Sequence, residues 1–201
     1  MAYRKTPATE ARKDARRRTI LDAATRLFGA QGYHSTTVPM IVAESDSSVG
    51  SFYAHFRNKE DAFAAVLEEL GEKVTQLMDR ARVSQPDALR GLQCAVESLF
   101  LFLADNPGDA RILIVESSGL SPRLERVRRT ILRRHAEQVC QTLESAPGAF
   151  SVSAPVIAAR CLVGAVFESL YSWLEENPTD RQSAAEVARA VADYNSRAIR
   201  R

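Results

Sequence analysis

Residues 36–63, TTVPMIVAESDSSVGSFYAHFRNKEDAF, constrain the fold of this chain more tightly than any other stretch. Two short helical segments and the start of a third fit into this span, which is the layout of a helix-turn-helix. Thr36 and Thr37 can cap a first helix whose apolar residues Val38, Ile41 and Val42 recur at three- and four-residue spacing. Pro39 falls in its first turn, where a missing N–H costs least. The helix should end near Ser45. Asp46 tolerates unusual backbone angles and can make the turn, and Ser47 or Ser48 can cap the next helix. In that second helix Phe52 and Phe56 are four apart and should face inward, leaving Ser48, Val49, Ser51, Tyr53 and His55 more outward. Gly50 weakens the helix by about 1 kcal/mol relative to Ala. Together with three serines it makes a poor helix builder and a good close-fitting surface.

Residues 19–67 resemble the DNA-binding domain of the tetracycline-repressor (TetR) family of bacterial transcription regulators. The resemblance is carried by Ile20, Ala23, Ala24, Leu27, Phe28, Gly32 and Tyr33, then Thr36, Thr37, Val38, Ile41, Ala43 and Glu44. It continues through Ser48, Gly50, Phe52, Tyr53, Phe56, Lys59, Glu60 and Phe63. The chain departs from the family pattern at three positions. Asp46 stands where a turn Gly is usual, Ser47 where a Val or Ile plugs the gap between helices, and Val49 at a position that is often polar or basic.

The resemblance implies that Ser48, Val49 and Ser51 face base edges, while Thr37, Tyr53, His55 and Lys59 hold phosphates. Hydroxyls, a phenol, an imidazole and an ammonium can all donate to phosphate oxygens, contacts that set register without reading sequence. Val49 offers only an apolar contact, which suits a thymine methyl. Tyr, His and Phe at a helix end also serve simple packing, and those residues alone do not choose between the two roles.

Net charge is only +2 on 27 basic and 25 acidic residues, which excludes a generally polycationic nucleic-acid binder. The positive charge is concentrated in residues 1–18, where Arg4, Lys5, Arg12, Lys13, Arg16, Arg17 and Arg18 face only Glu10 and Asp14. Such a basic arm can reach along phosphates or into a minor groove, and its first eight residues can equally be a solvated tail. The three cysteines, Cys94, Cys140 and Cys161, are widely spaced and odd in number, which fits a reducing cytoplasm and buried structural thiols. No signal peptide is expected at the start, and the apolar runs are broken before twenty residues, so no membrane partner is expected.

The rest of the chain reads as helix, giving an all-α fold. A basic arm (1–18) and a three-helix DNA-binding domain (19–63) precede a helical effector-binding and dimerisation domain (64–201), joined by a long helix. That helix starts at Asn58 and carries Phe63, Val66, Leu67, Leu70, Val74 and Leu77 on one face; run to Arg82, it would measure about 37 Å. Further helices are expected from Pro86 to Asn106, from Asp109 to Glu116, from Pro122 past Thr142, from Val156 to Leu174 and from Ala184 to Ala198.

Helix 156–174 is apolar on most sides, so it is either buried in a monomer or meets a symmetry mate. The family resemblance implies a two-fold homodimer through the last two helices, with Ala158, Gly164, Ala165, Val187, Val191 and Tyr194 at the interface. It also implies an effector pocket, for which Phe100, Leu103, Glu116, Ile131, His135, Phe167 and Tyr171 are the candidates. His135 can alternatively be a satisfied core histidine, and Glu116 a buried structural carboxylate. No catalytic, metal or cofactor motif is found: H-E-x-x-H, C-x-x-C, G-x-S-x-G and a phosphate-binding Gly-rich loop are all missing. The function these observations lead to is a cytoplasmic, ligand-responsive repressor, released from a near-palindromic DNA operator by a small, largely apolar effector. The alternative is an all-helical enzyme or a small-molecule-binding protein without regulatory DNA binding.

Overall fold

Apart from an isolated antiparallel bridge between Phe150 and Arg200, every regular element among the described residues is helical. The computed structural model describes residues 7–146, 148–176 and 182–200. Arg4 and Lys5 of the expected basic arm lie outside that range. Its remaining basic residues belong to the first helix, α1 (Pro7–Ser35), so the expected boundary at residue 18 falls inside a continuous helix.

α1 is kinked at Gly32, whose φ of 82° and ψ of 171° place it in a region that essentially only glycine enters. Helices α2 (Val38–Glu44) and α3 (Val49–His55) follow as the helix-turn-helix. Buried Ile20, Ala24, Phe28, Ile41, Phe52, Phe56 and Phe63 form the core of this unit. Phe28 and Phe63 meet edge to face with ring centroids 4.9 Å apart, and Tyr33 packs on Phe63 at 5.1 Å. Each fully buried large apolar side chain here stabilises the fold by about 1.5–3 kcal/mol relative to exposure.

α4 (Lys59–Val83) is capped by Asn58, whose side chain accepts from the Asp61 N–H. Its buried stripe of Phe63, Val66, Leu67, Leu70 and Val74 continues the same core into the C-terminal half, so no break in packing separates the two ends of the helix. α5 (Ala88–Asp105) begins two residues later than Pro86, because the Asp87 carboxylate accepts from the Arg90 N–H and fixes the cap there. The single helix expected over 109–116 is instead a short α6 (Pro107–Ala110) running into a π-helical turn, Arg111–Glu116. Ile112, Leu113 and Ile114 are all buried, and three consecutive residues cannot share one α-helical face, so a wider turn accommodates them.

α7 (Pro122–Ser145) and α8 (Pro155–Glu175) pack together, while α5 lies between α4 and α9 (Ala184–Ile199). A capping box between Ser183 and Glu186 starts α9. Contrary to the expectation from its broken apolar runs, α8 is long and apolar enough by length and composition to cross a bilayer. Only 28% of its most apolar window is buried within the chain, and Arg160 and Glu168 lie on its uncovered side. None of the three cysteines is fully buried either: Cys94 and Cys140 are half-buried and Cys161 is exposed on α8.

Candidate nucleic-acid interface and effector cavity

The turn between α2 and α3 is closed by two backbone hydrogen bonds, Ser47 N to Val42 O at 3.0 Å and Asp46 N to Ala43 O at 3.3 Å. This is a Schellman arrangement, in which the residue after the cap adopts left-handed angles. Asp46 does so at φ 46°, the only described residue other than glycine with positive φ. Ser47 is half-buried, so the gap between the helices is filled by a small polar side chain, with its hydroxyl donating to the Ser45 carbonyl.

Thr37 caps α2, its hydroxyl oxygen accepting from the Met40 N–H, and Ser48 caps α3 by accepting from the Ser51 N–H at 3.1 Å. The front of α3 therefore presents Ser48, Val49 and Gly50 to solvent, with Val49 51% and Tyr53 54% exposed. A Cβ on Gly50 would meet only the Ser48 hydroxyl, at 4.0 Å. Packing inside the chain thus gives no reason for glycine there. Ser51 and His55 are half-buried, at the edge of this surface.

The N-terminal half of α1 adds positive charge beside α3. Arg16 donates to the Asp46 carbonyl at 3.3 Å, and the Arg17 guanidinium lies over the Phe56 ring at 5.3 Å. Burial, then the nearby Lys13 and Arg17, lower the pKa of His55 from the usual imidazole value. Lys59 is placed differently from a free phosphate ligand. Its ammonium donates to the carbonyls of Tyr33 at 2.7 Å, Thr36 at 2.8 Å and His34 at 3.5 Å, and sits 4.2 Å from the Tyr33 ring centroid. A cation is favourable at the C-terminal end of α1, where those carbonyls are unpaired, and burial lowers its pKa. With its three donors taken, Lys59 can add charge near a phosphate, while its hydrogen bonds hold the exit of α1.

A second set of contacts ties this unit to the C-terminal half. Glu116, at the end of the π-turn, accepts from the Tyr33 N–H at 3.0 Å and from Arg111 Nε at 3.1 Å, and Arg111 reaches the Ala30 carbonyl at 3.2 Å. At the start of α7, the Ser121 hydroxyl donates to Glu60, and Arg123 pairs with Asp61. The hydrogen bond from Arg57, together with that from Arg123, lowers the Asp61 pKa despite its partial burial. Glu116 is therefore not on a cavity wall as expected; its carboxylate is committed to the junction.

A partly open cavity lies deeper, between α4, α5, α7, α8 and α9, and has a volume of about 60 Å³. Its wall includes Met78, Asp79 and Arg82 of α4, Leu92 and Val96 of α5, His135 and Val139 of α7, Leu162 and Phe167 of α8, and Asn195 of α9. Of the expected pocket residues, the structure brings His135 and Phe167 together here, their rings stacked at 6.0 Å. Phe100 and Leu103 are fully buried in the closed core, Phe100 against Trp173 at 6.4 Å, so they are core residues rather than lining. Ile131 packs on Gly71 so closely that a Cβ there would lie 2.5 Å from its Cδ1. Tyr171 is 40% exposed and faces an outer groove with Arg126, Arg129 and Arg160. Arg82 and Asn195 escaped sequence reading, since each sits among polar residues of an amphipathic helix and only the tertiary contacts turn it inward.

The residues expected at a dimer interface divide as well. Gly164 and Tyr194 are exposed, Tyr194 to 67%, and Ala158 and Ala165 are half-buried. Val191 is buried within its own chain, and Val187 is half-buried against the same core. The uncovered stripe on α8 instead includes Val156, Ile157, Cys161 and Gly164.

The model of bacterial regulatory proteins of the tetR family matches residues 20–66. Among solved structures, the chain is similar to the fatty acid degradation regulator FadR from Bacillus halodurans, with a TM-score of 0.79 and 19% identity over 96% of this chain and 97% of that one. It is similar to SmeT in complex with triclosan, with a TM-score of 0.78 and 26% identity over 93% of this chain and 92% of that one. A further structure of SmeT, the repressor of the Stenotrophomonas maltophilia multidrug efflux pump SmeDEF, is also similar, with a TM-score of 0.77 and 23% identity over 92% of this chain and 90% of that one. A helix-turn-helix with an outward-facing α3, a family match over that unit and a shared fold over nearly the whole chain lead to one conclusion: residues 20–66 are a DNA-binding unit of the tetR regulatory family, carried by a chain with the fold of these solved structures.

Proposed function

We propose that this regulator is a cytoplasmic homodimer that represses transcription from a near-palindromic operator and is released by a small, largely apolar effector. One observation carries the reading. The C-terminal half of α4 forms part of the cavity wall through Met78, Asp79 and Arg82, and its first turn seats the reading unit through Lys59, which holds the exit of α1, and Asp61, which accepts from the Arg57 N–H just after α3. A 25-residue helix spans about 37 Å, so displacement at the cavity moves the far end of a stiff rod.

In this reading Ser48, Val49 and Ser51 meet base edges, and Thr37, Tyr53 and His55 meet phosphates, with the basic face of α1 alongside. The uncovered stripe of α8, with Tyr194 of α9, pairs with a second copy, giving two reading helices. Ordinary ligand pockets have volumes of about 300–1,000 Å³, so a cavity of about 60 Å³ must widen to admit an effector, and α4 is one of its movable walls. Shifting such an equilibrium from 1:99 to 99:1 takes about 5.5 kcal/mol of differential binding. The likeness to SmeT, a repressor with a triclosan complex, supports both the sign of control and the apolar character of the effector.

Operator titration in the presence of small apolar compounds that raise the melting temperature tests this reading. Compounds that bind the folded chain should weaken operator binding. Stabilisation without any change in operator affinity, across all the compounds that bind, would overturn it.

A further inference from the structure

Among the described residues, three of the four buried side-chain polar atoms without a hydrogen-bond partner, Arg82 Nε, His135 Nδ1 and Asn195 Oδ1, belong to residues on the wall of this cavity. An unmet buried polar atom costs about 1–3 kcal/mol, so three in one place call for a shared explanation.

The donor or acceptor character of each atom follows from its neighbours. The Thr75 hydroxyl has one proton, which it donates to the Gly71 carbonyl at 2.6 Å. Its contact with His135 Nε2 at 2.8 Å must then be donated by the ring. That puts the imidazole proton on Nε2 and leaves Nδ1 as a lone-pair acceptor. Burial, then Arg134, hold the His135 pKa down to about 4, so the ring stays neutral at pH 7. Asn195 donates from Nδ2 to the Leu162 carbonyl at 3.3 Å, which orients the amide and leaves Oδ1 as a second acceptor. Arg82 gives one amino group to Asp79 at 2.5 Å and the other to Thr142 at 3.2 Å, so Nε is the one guanidinium nitrogen left without a partner, and its N–H is a donor. Asp79 also balances its charge. The buried polar atoms of the wall that lack a partner are thus two acceptors and one donor, beside a charge-balanced Arg82–Asp79 pair and the neutral amides of Gln93 and Gln138, set among Met78, Leu92, Val96, Val139 and Phe167.

We infer that the effector is an uncharged, compact, hydroxylated apolar molecule of the alkylphenol or aromatic alcohol class. Its hydroxyl proton goes to His135 Nδ1 or Asn195 Oδ1, and its oxygen lone pair takes the Arg82 Nε–H. The inference rests on the ligand-responsive reading above and narrows it. An anion of the same shape would face two acceptor atoms and an arginine already neutralised by Asp79. A hydrocarbon would leave all three polar atoms unmet.

Calorimetric titration of the full chain with 4-ethylphenol, 4-ethyltoluene and 4-ethylbenzoate tests this. The three share a shape and differ in one group. The phenol should bind at least about tenfold more tightly than the toluene, with no detectable binding of the benzoate, as a site built around a hydroxyl discriminates against analogues lacking it. His135→Phe keeps the ring beside Phe167 and removes the acceptor, and should cut the preference to about threefold or less. Asn195→Leu provides a second route to the same loss should the first variant not fold. In the parent, the His135 Nδ1 resonance in nitrogen-15 spectra should move with 4-ethylphenol and stay still with 4-ethyltoluene. Equal or tighter binding of the toluene or benzoate, no binding of any of the three, or an unchanged preference in the folded variants would overturn the inference. Operator titration on the same samples separates it from the reading it rests on. The phenol preference with unaltered operator affinity would uphold the ligand class and remove ligand response. Operator release by 4-ethylbenzoate alone would uphold ligand response and overturn the class.

Discussion

The Glu116 carboxylate accepts a hydrogen bond from the backbone N–H of Tyr33, 83 residues earlier in the chain, at 3.0 Å. This joins the end of the π-turn to the exit of α1, next to the kink at Gly32. A Cβ on Gly32 would lie 2.4 Å from Glu116 Oε1, so the glycine serves both the backbone angle and the approach of the carboxylate.

Glu116→Ala should speed hydrogen exchange at the Tyr33 amide and destabilise the fold by about 1–3 kcal/mol, since Arg111 and the amide both lose their acceptor. Gly32→Ala should cost about 1–3 kcal/mol through backbone strain alone, with the clash added. Denaturant midpoints and amide exchange check both. Unchanged exchange at Tyr33 in Glu116→Ala would show that the contact is not held in solution.

Tyr53 and Lys59 should separate binding from stability. Tyr53 is mostly exposed, so Tyr53→Ala should weaken DNA binding with little change in melting temperature. Lys59→Ala strips the donors from the carbonyls at the end of α1 and should lower stability by about 1.5–3 kcal/mol, as for hydrogen bonds to charged groups. Equal melting temperatures for Lys59→Ala and the parent would refute its capping role.

The pH dependence of stability should carry the signature of His135. Its folded pKa of about 4 lies below the ordinary value of 6.5, so between these the unfolded chain binds the proton more readily. The contribution is complete above pH 6.5 and is lost as pH falls from 6.5 through 4, amounting to about 3 kcal/mol. Urea unfolding at stepped pH should show this slope, and His135→Phe should flatten it. Asp61, whose pKa is lowered by Arg57 and Arg123, acts below the usual carboxylate range and so adds loss only at more acidic pH.

Much of the reading unit was legible because its constraints are local. The caps at Thr37 and Ser48, the turn at Asp46 and the inward pair Phe52 and Phe56 each depend on neighbours within a few residues. The cavity was legible only at His135 and Phe167. Phe100 and Leu103 read as lining because an apolar residue facing a cavity and one facing the core have the same periodicity. Glu116, Arg82 and Asn195 take their roles from partners 33 to 83 residues away or from a cavity built by five helices, which spacing along the chain does not encode. The π-turn escaped because RILIVE also fits an ordinary helix until three successive residues have to be buried.

Assembly should be separable from folding. Nothing lies within 4 Å of a Cβ placed on Gly164, so Gly164→Asp puts its carboxylate in open space in a single chain. Across a two-fold helix crossing the same charge would be buried twice without a partner. The variant should stay folded, sediment as a monomer and lose tight operator binding. A folded dimer with parental affinity would move the interface elsewhere.

Recovery of bound fragments from genomic DNA tests the central claim most directly. The account predicts enrichment of an inverted repeat whose half-sites are about 34–36 Å apart, one helical turn, with enrichment lost in Tyr53→Ala and base preference altered in Val49→Ala. Recovery of DNA without sequence preference, or the same enriched site from Tyr53→Ala and Val49→Ala as from the parent, would contradict it.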